Sequence, residues 1–197
     1  MFNLKNLFTR ALLALMLVSG AGAAAAGPIY HVTIDTTGLS GTGVFDFLFT
    51  GDATSAGAAT ATLSNPSGDF GSNEAFGDIR SGGLSLVLGN TGGYAELLQT
   101  VTLGGVFGID LRFDVAPAGD GTTLGIALYN EALDAYLGLE GNLAQFDLVP
   151  GGTIGVSDDN ALTRIVAVND VPEPAAIALL ALGLALMAWT ARARRMH

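Results

Sequence analysis

Cysteine is absent from the 197 residues, tryptophan occurs once and histidine twice. Without cysteine, the chain has no disulfides, no thiolate nucleophile and no cysteine-bound zinc, so its stability must come from an apolar core. Trp189 and the second histidine, His197, both stand near the C-terminus. Nucleophile–histidine chemistry in the body of the chain would therefore rest on His31, which needs a Ser or Thr brought to it from elsewhere in the fold. A sugar-stacking platform would draw on Tyr30, Tyr94, Tyr129 and Tyr136. The sequence also lacks a Gly-x-Ser-x-Gly elbow, a Walker-type phosphate loop, a His-Glu-x-x-His pair and any repeat of solenoid length.

Positive charge is scarce as well. Between Gly27 and Asp170, only Arg80, Arg112 and Arg164 stand against seventeen acids, a formal charge of −14. Such a field repels nucleic acid and anionic polysaccharide and attracts cations. Nucleic acid is thereby excluded as a partner.

What is present at the ends is a pair of targeting patterns. Lys5 and Arg10 precede the apolar run Ala11 to Val18 and the small-residue stretch Ser19 to Gly27. That order reads as a secretory signal peptide over residues 1–26, to be handled by a secretion translocon and a signal peptidase. The run is shorter than the ~20 residues that a bilayer span needs, which argues against a permanent N-terminal anchor. At the other end, residues 175–191 carry no charge and are followed by Arg192, Arg194 and Arg195. As a helix they reach roughly 25 Å, enough to cross a bilayer if Trp189 sits at the interface and the arginines snorkel. The positive-inside rule keeps those arginines in the cytoplasm and the body of the protein outside it.

Directly before this span stands Val171-Pro172-Glu173-Pro174. Its two prolines fix φ, disfavour helix in the residues before them and delay the start of the membrane helix. The product is a short extended segment with one carboxylate, a shape that an enzyme can grip.

The three parts together, Val171-Pro172-Glu173-Pro174, the apolar span and the Arg192, Arg194, Arg195 cluster, resemble the PEP-CTERM sorting signal of Gram-negative bacteria. The resemblance implies recognition by an exosortase, a membrane transpeptidase, and association with exopolysaccharide or biofilm. It covers residues 171–197 and is silent on the body. The stretches Tyr30 to Thr36, Ala59 to Asn65 and Gly125 to Tyr129 also resemble uncharacterised PEP-CTERM proteins, and that likeness brings no site with it.

The body, residues 27–170, has the length of one domain. Period-two alternation marks Tyr30 to Asp35, Val44 to Phe49 and Phe107 to Val115 as half-buried strands, with three phenylalanines on one face of the second. Further strands are expected at Ala58 to Leu63, Leu84 to Leu88, Leu97 to Leu103, Thr123 to Tyr129, Ala144 to Val149 and Ala161 to Val168. Turn signals separate them, among them Asn65 to Asp69, Gly89 to Gly93 and Pro117 to Gly121. Glu131 to Leu137 reads as a helical turn or as a hairpin. The expected fold is all-β, an antiparallel β-sandwich or jelly roll between a signal peptide and a membrane helix.

Candidate chemistry is sparse. His31 reads as a surface strand residue, and Asp110, Arg112 and Asp114 as an ion-pair ladder on one strand face. Asp120, Asp158 and Asp159 offer hard oxygen ligands near glycine-rich turns without EF-hand spacing, so a structural calcium ion and simple solvated acids are both open. The favoured expectation is a non-enzymatic binding or structural module. The alternative is an exported polysaccharide-acting hydrolase with a carboxylate pair assembled across strands at ~5 to 10 Å. A cleft with facing acids would favour the hydrolase, and a face bearing exposed aromatics would favour binding.

Overall fold

The computed structural model describes residues 27–158 and 160–168, so the expected signal peptide, sorting motif, membrane span and arginine cluster, and Asp159, lie outside the described residues. Twelve strands follow one another: β1 Ile29–Asp35, β2 Thr42–Gly51, β3 Ala59–Ser67, β4 Phe70–Gly77, β5 Ile79–Gly82 and β6 Ser85–Gly89, then β7 Tyr94–Thr102, β8 Val106–Val115, β9 Thr122–Tyr129, β10 Asn142–Leu148, β11 Gly155–Ser157 and β12 Thr163–Val168. They form two six-stranded sheets, ordered β12-β1-β8-β3-β6-β5 and β11-β10-β9-β2-β7-β4, and every strand pair is antiparallel. The all-β expectation is met as a two-sheet sandwich. No helix occurs among the described residues.

The alternation read from the sequence is what closes the two sheets on each other. Tyr30, Val32 and Ile34 of β1, and Phe45, Phe47 and Phe49 of β2, all turn inward and are buried. Burying such side chains contributes about 1.5–3 kcal/mol each. Aromatic edges then stitch sheet to sheet. Phe107 of β8 meets Phe45 of β2 at 5.2 Å between ring centroids, and Phe113 of β8 meets Phe146 of β10 at 5.1 Å. Each aromatic pair adds about 0.5–1.5 kcal/mol beyond its area.

A buried polar clamp completes the core. Asn90, between β6 and β7, donates through Nδ2 to the Gly57 carbonyl at 2.7 Å and to Thr122 Oγ1 at 2.9 Å, while its Oδ1 accepts from the Ala59 amide at 3.1 Å. One side chain thus ties the entry of β3 in the first sheet to the entry of β9 in the second.

Three strands escape the alternation rule. In β4 seven of eight residues are exposed, β5 is four residues long, and all three residues of β11 are exposed. The expected turn at Asn65 to Asp69 is largely strand: β3 runs on to Ser67, and the register to β8 slips between Ser64 and Ser67. Asn65 takes the left-handed conformation (φ 50°) at this bulge, as asparagine can. The chain reverses instead at Gly68 (φ 126°), where a Cβ would come within 2.5 Å of the Phe107 ring. For Glu131 to Leu137 the hairpin reading holds. Leu137 donates its amide to the Leu128 carbonyl, Asn130 to the Ala135 carbonyl, and Tyr129 bridges Tyr136.

The first and last strands are neighbours. β1 pairs with β12 such that Ile29 stands opposite Val168.

Candidate functional site

The outer face of the second sheet brings carboxylates and exposed aromatic side chains together. Because Phe45, Phe47 and Phe49 face the core, Asp46 and Leu48 between them face outward. By the same alternation β7 turns Ala95, Leu97 and Gln99 inward and presents Tyr94, Glu96, Leu98 and Thr100 outward. Register places Asp46 opposite Leu98, and Leu48 opposite Glu96. Asp46 and Glu96 are therefore diagonal neighbours on adjacent strands, a Cα spacing of about 7–8 Å. Phe76 of β4 stands beside Glu96 on its other side, and Tyr129 of β9 lies one step along the sheet, opposite Val44.

This environment shifts the titration of Asp46 and Tyr129. Asp46 is half-buried, and its Oδ1 is out of contact with water and accepts no hydrogen bond among the described residues. Loss of hydration, followed by the charge of Glu96, raises its carboxyl to about 6. Tyr129 stacks on Tyr136 with ring centroids 4.5 Å apart. Its hydroxyl is pushed up to about 12, first by the hydrogen bond with Tyr136, then by burial and by the negative field of Tyr136, Asp46 and Glu96. Tyr94, Phe76 and Tyr136 remain exposed around the pair. From the Val44 row, which holds Tyr129, to the Thr50 row, which holds Tyr94, is six residues of β2, or roughly 20 Å of sheet. Aromatic faces flanking two acceptor-rich carboxylates can stack on sugar rings and accept their hydroxyl protons.

The residues singled out in the sequence fall elsewhere. His31 and Asp110 are paired across β1 and β8, and their side chains meet through Nδ1 and Oδ1. Asn65 Nδ2, carried there by the β3 bulge, donates to Asp110 Oδ2 at 2.8 Å. Burial raises the Asp110 carboxyl, but Asn65 and His31 outweigh it and the net shift is downward. Asp110 thus joins His31 across the strand pair and Asn65 across the bulge. Among the described residues, no serine or threonine hydroxyl bonds to the His31 ring, so the parts of a nucleophile triad are not assembled there.

Asp120 lies in the β8–β9 loop, its amide donating to the Ser55 carbonyl and its own carbonyl accepting from Gly57. Asp158 follows β11, and its Oδ2 accepts the Ile165 amide at 3.0 Å. Among the described residues there is no group of three or more His, Asp or Glu able to hold a metal ion.

Sequence reading passed over Asp46, Glu96 and Phe76. A usable signal existed for the first: a single acid set among five apolar residues in Val44-Phe45-Asp46-Phe47-Leu48-Phe49. No signal of that kind marks Glu96, whose role depends on a strand pairing fifty residues away.

Comparison with known proteins bears on the C-terminal segment. Residues 170–195 match the PEP-CTERM protein-sorting motif. No curated protein and no solved structure matches the chain. The motif marks an exported, cell-envelope protein that is sorted by an exosortase.

Proposed function

We propose that the precursor passes the secretion translocon, loses residues 1–26 to signal peptidase, and is held in the inner membrane by residues 175–191 until an exosortase acts at Val171 to Pro174. The sandwich then serves at the surface of a Gram-negative cell, or in its biofilm matrix, as a non-enzymatic module that binds neutral exopolysaccharide. The observation that carries this reading is the outer face of the second sheet, where exposed Phe76, Tyr94 and Tyr136 surround Asp46 and Glu96. Its charge supports a neutral polymer, since seventeen acids over residues 27–170 oppose an anionic one.

Affinity electrophoresis of the exported protein tests it, with a neutral β-glucan in one gel and alginate in another. The glucan gel is expected to retard the protein, the alginate gel to leave it unretarded, and Tyr94→Ala with Tyr136→Ala to abolish retardation. Equal mobility in all gels would remove the binding function.

The diagonal Asp46–Glu96 pair also supports a second reading, the polysaccharide-acting hydrolase. A carboxyl protonated up to about pH 6 beside a second carboxyl suits the roles that glycoside hydrolysis divides between two groups, general acid against base or nucleophile. New reducing ends released from the glucan by the exported protein, and lost in Asp46→Asn, would establish that reading over the first.

A further inference from the structure

At the edge of the sandwich away from β12, the two sheets do not close on each other. The inward positions of β4, namely Asn73, Ala75 and Gly77, pair with Gln99, Leu97 and Ala95, yet all three are exposed because the first sheet does not extend over them. That sheet ends in the β5–β6 hairpin, whose turn residue Leu84 is 98% exposed. Between hairpin and β4 a cavity of about 300 Å³ opens inward as far as Phe47, Leu63 and Leu97 of the core. That volume lies at the small end of the ~300–1,000 Å³ common for small-molecule sites.

Two features specify what fits. Among the described residues, no ionisable side chain lines the cavity, although the surrounding domain is strongly acidic. A charged guest would lose hydration there without gaining a counter-ion. The second feature is Gln99, 8% exposed, whose Nε2 faces the carbonyls of Gly71 at 3.0 Å, Ser72 at 3.1 Å and Thr100 at 3.0 Å. Three carbonyl acceptors settle which end of the amide is nitrogen. They hold the side chain in place and leave its Oε1 free of any protein donor among the described residues. The cavity thus combines apolar walls with the uncharged polar side chains of Ser64, Asn73, Ser81 and Ser85, and in Gln99 Oε1 it offers an immobile acceptor.

We propose that this cavity binds a small uncharged amphiphile, with its apolar body between Phe47, Leu63 and Leu97 and a hydroxyl or N–H group donating to Gln99 Oε1. The site lies between the sheets, separate from the aromatic outer face, and stands whether or not that face binds glycan.

N-phenyl-1-naphthylamine, an uncharged two-ring probe with a single N–H, tests the assignment by fluorescence titration of the exported protein. The expected result is a saturable rise with micromolar Kd. The sulfonated analogue 1-anilinonaphthalene-8-sulfonate should bind at least about tenfold more weakly. Ile109→Trp fills the cavity from the β8 side and should abolish the rise. Leu84→Asp, at a position too exposed to affect folding, places a charge at the mouth and should weaken binding about tenfold. Equal signals from the wild type and Leu84→Asp, equal affinity for the anionic probe, or no saturable signal would each overturn the proposal.

Discussion

Asp46 stands diagonal to Glu96 on the neighbouring strand, and its carboxyl stays protonated to about pH 6, because burial first and the Glu96 charge second disfavour the anion. The folded protein therefore holds a proton that the unfolded chain, near the ordinary aspartate value of ~3.9, has already released. The linked stability is fully present below pH ~4 and is lost as pH rises through about 6. Part of the carboxyl meets water, so screening reduces the effect to about 1 kcal/mol. Asp46→Asn should flatten urea midpoints measured from pH 4 to 8 and raise them at the alkaline end. An unchanged slope would show that Asp46 is ionised throughout.

Asn90→Ala removes three hydrogen bonds and leaves the Ala59 amide, the Gly57 carbonyl and Thr122 Oγ1 without this partner in the interior. A destabilisation of about 2–3 kcal/mol is expected, read as a fall in urea midpoint at constant slope. A loss below about 0.5 kcal/mol would mean that water replaces the clamp.

Gly68→Ala meets two obstacles at once, a left-handed backbone and the face of Phe107 2.5 Å from the new Cβ. The cost should be about 1–3 kcal/mol. Pairing it with Phe107→Leu separates the two: if the ring is the obstacle, the double variant loses less than the sum of the singles, and strict additivity assigns the whole cost to backbone strain.

Intact mass of the exported protein from its host, with and without the exosortase, reports on the C-terminal segment. Loss of the residues beyond Pro174 is expected only when the enzyme is present, and Glu173→Gln should retain them. Retention in both hosts would reduce Pro-Glu-Pro to a linker before a permanent anchor.

Much of the sandwich could be read from the chain because β1, β2 and β8 place an apolar residue at every second position, and burial on one face enforces that pattern. The edge strand β4 could not be read in this way. Only Phe70 reaches the first sheet, against Phe107 of β8; Gly71-Ser72-Asn73-Glu74-Ala75-Phe76-Gly77 is exposed along its length, so nothing required its inward positions to be apolar. The sheet extension through Asn65 and Pro66 was hidden for another reason, since a bulge uses the same residues as a turn. The candidate site was the least legible part. Its geometry comes from the register of β2 with β7 and of β7 with β4, and pairings over such distances depend on the whole sheet rather than on any local spacing. The sorting motif, by contrast, is linear, and was legible in full.

The pairing of Ile29 with Val168 orders events in time. A chain exported from its N-terminus presents β1 early, but the outer edge of that strand stays unsatisfied until Val168 has emerged. Only three residues, Asn169 to Val171, then separate the end of the sheet from Pro172. The motif that summons the exosortase thus follows almost at once, in sequence, on the strand that completes the first sheet. A sandwich left incomplete at β12 would reach the enzyme with its first strand still open to pair with another chain.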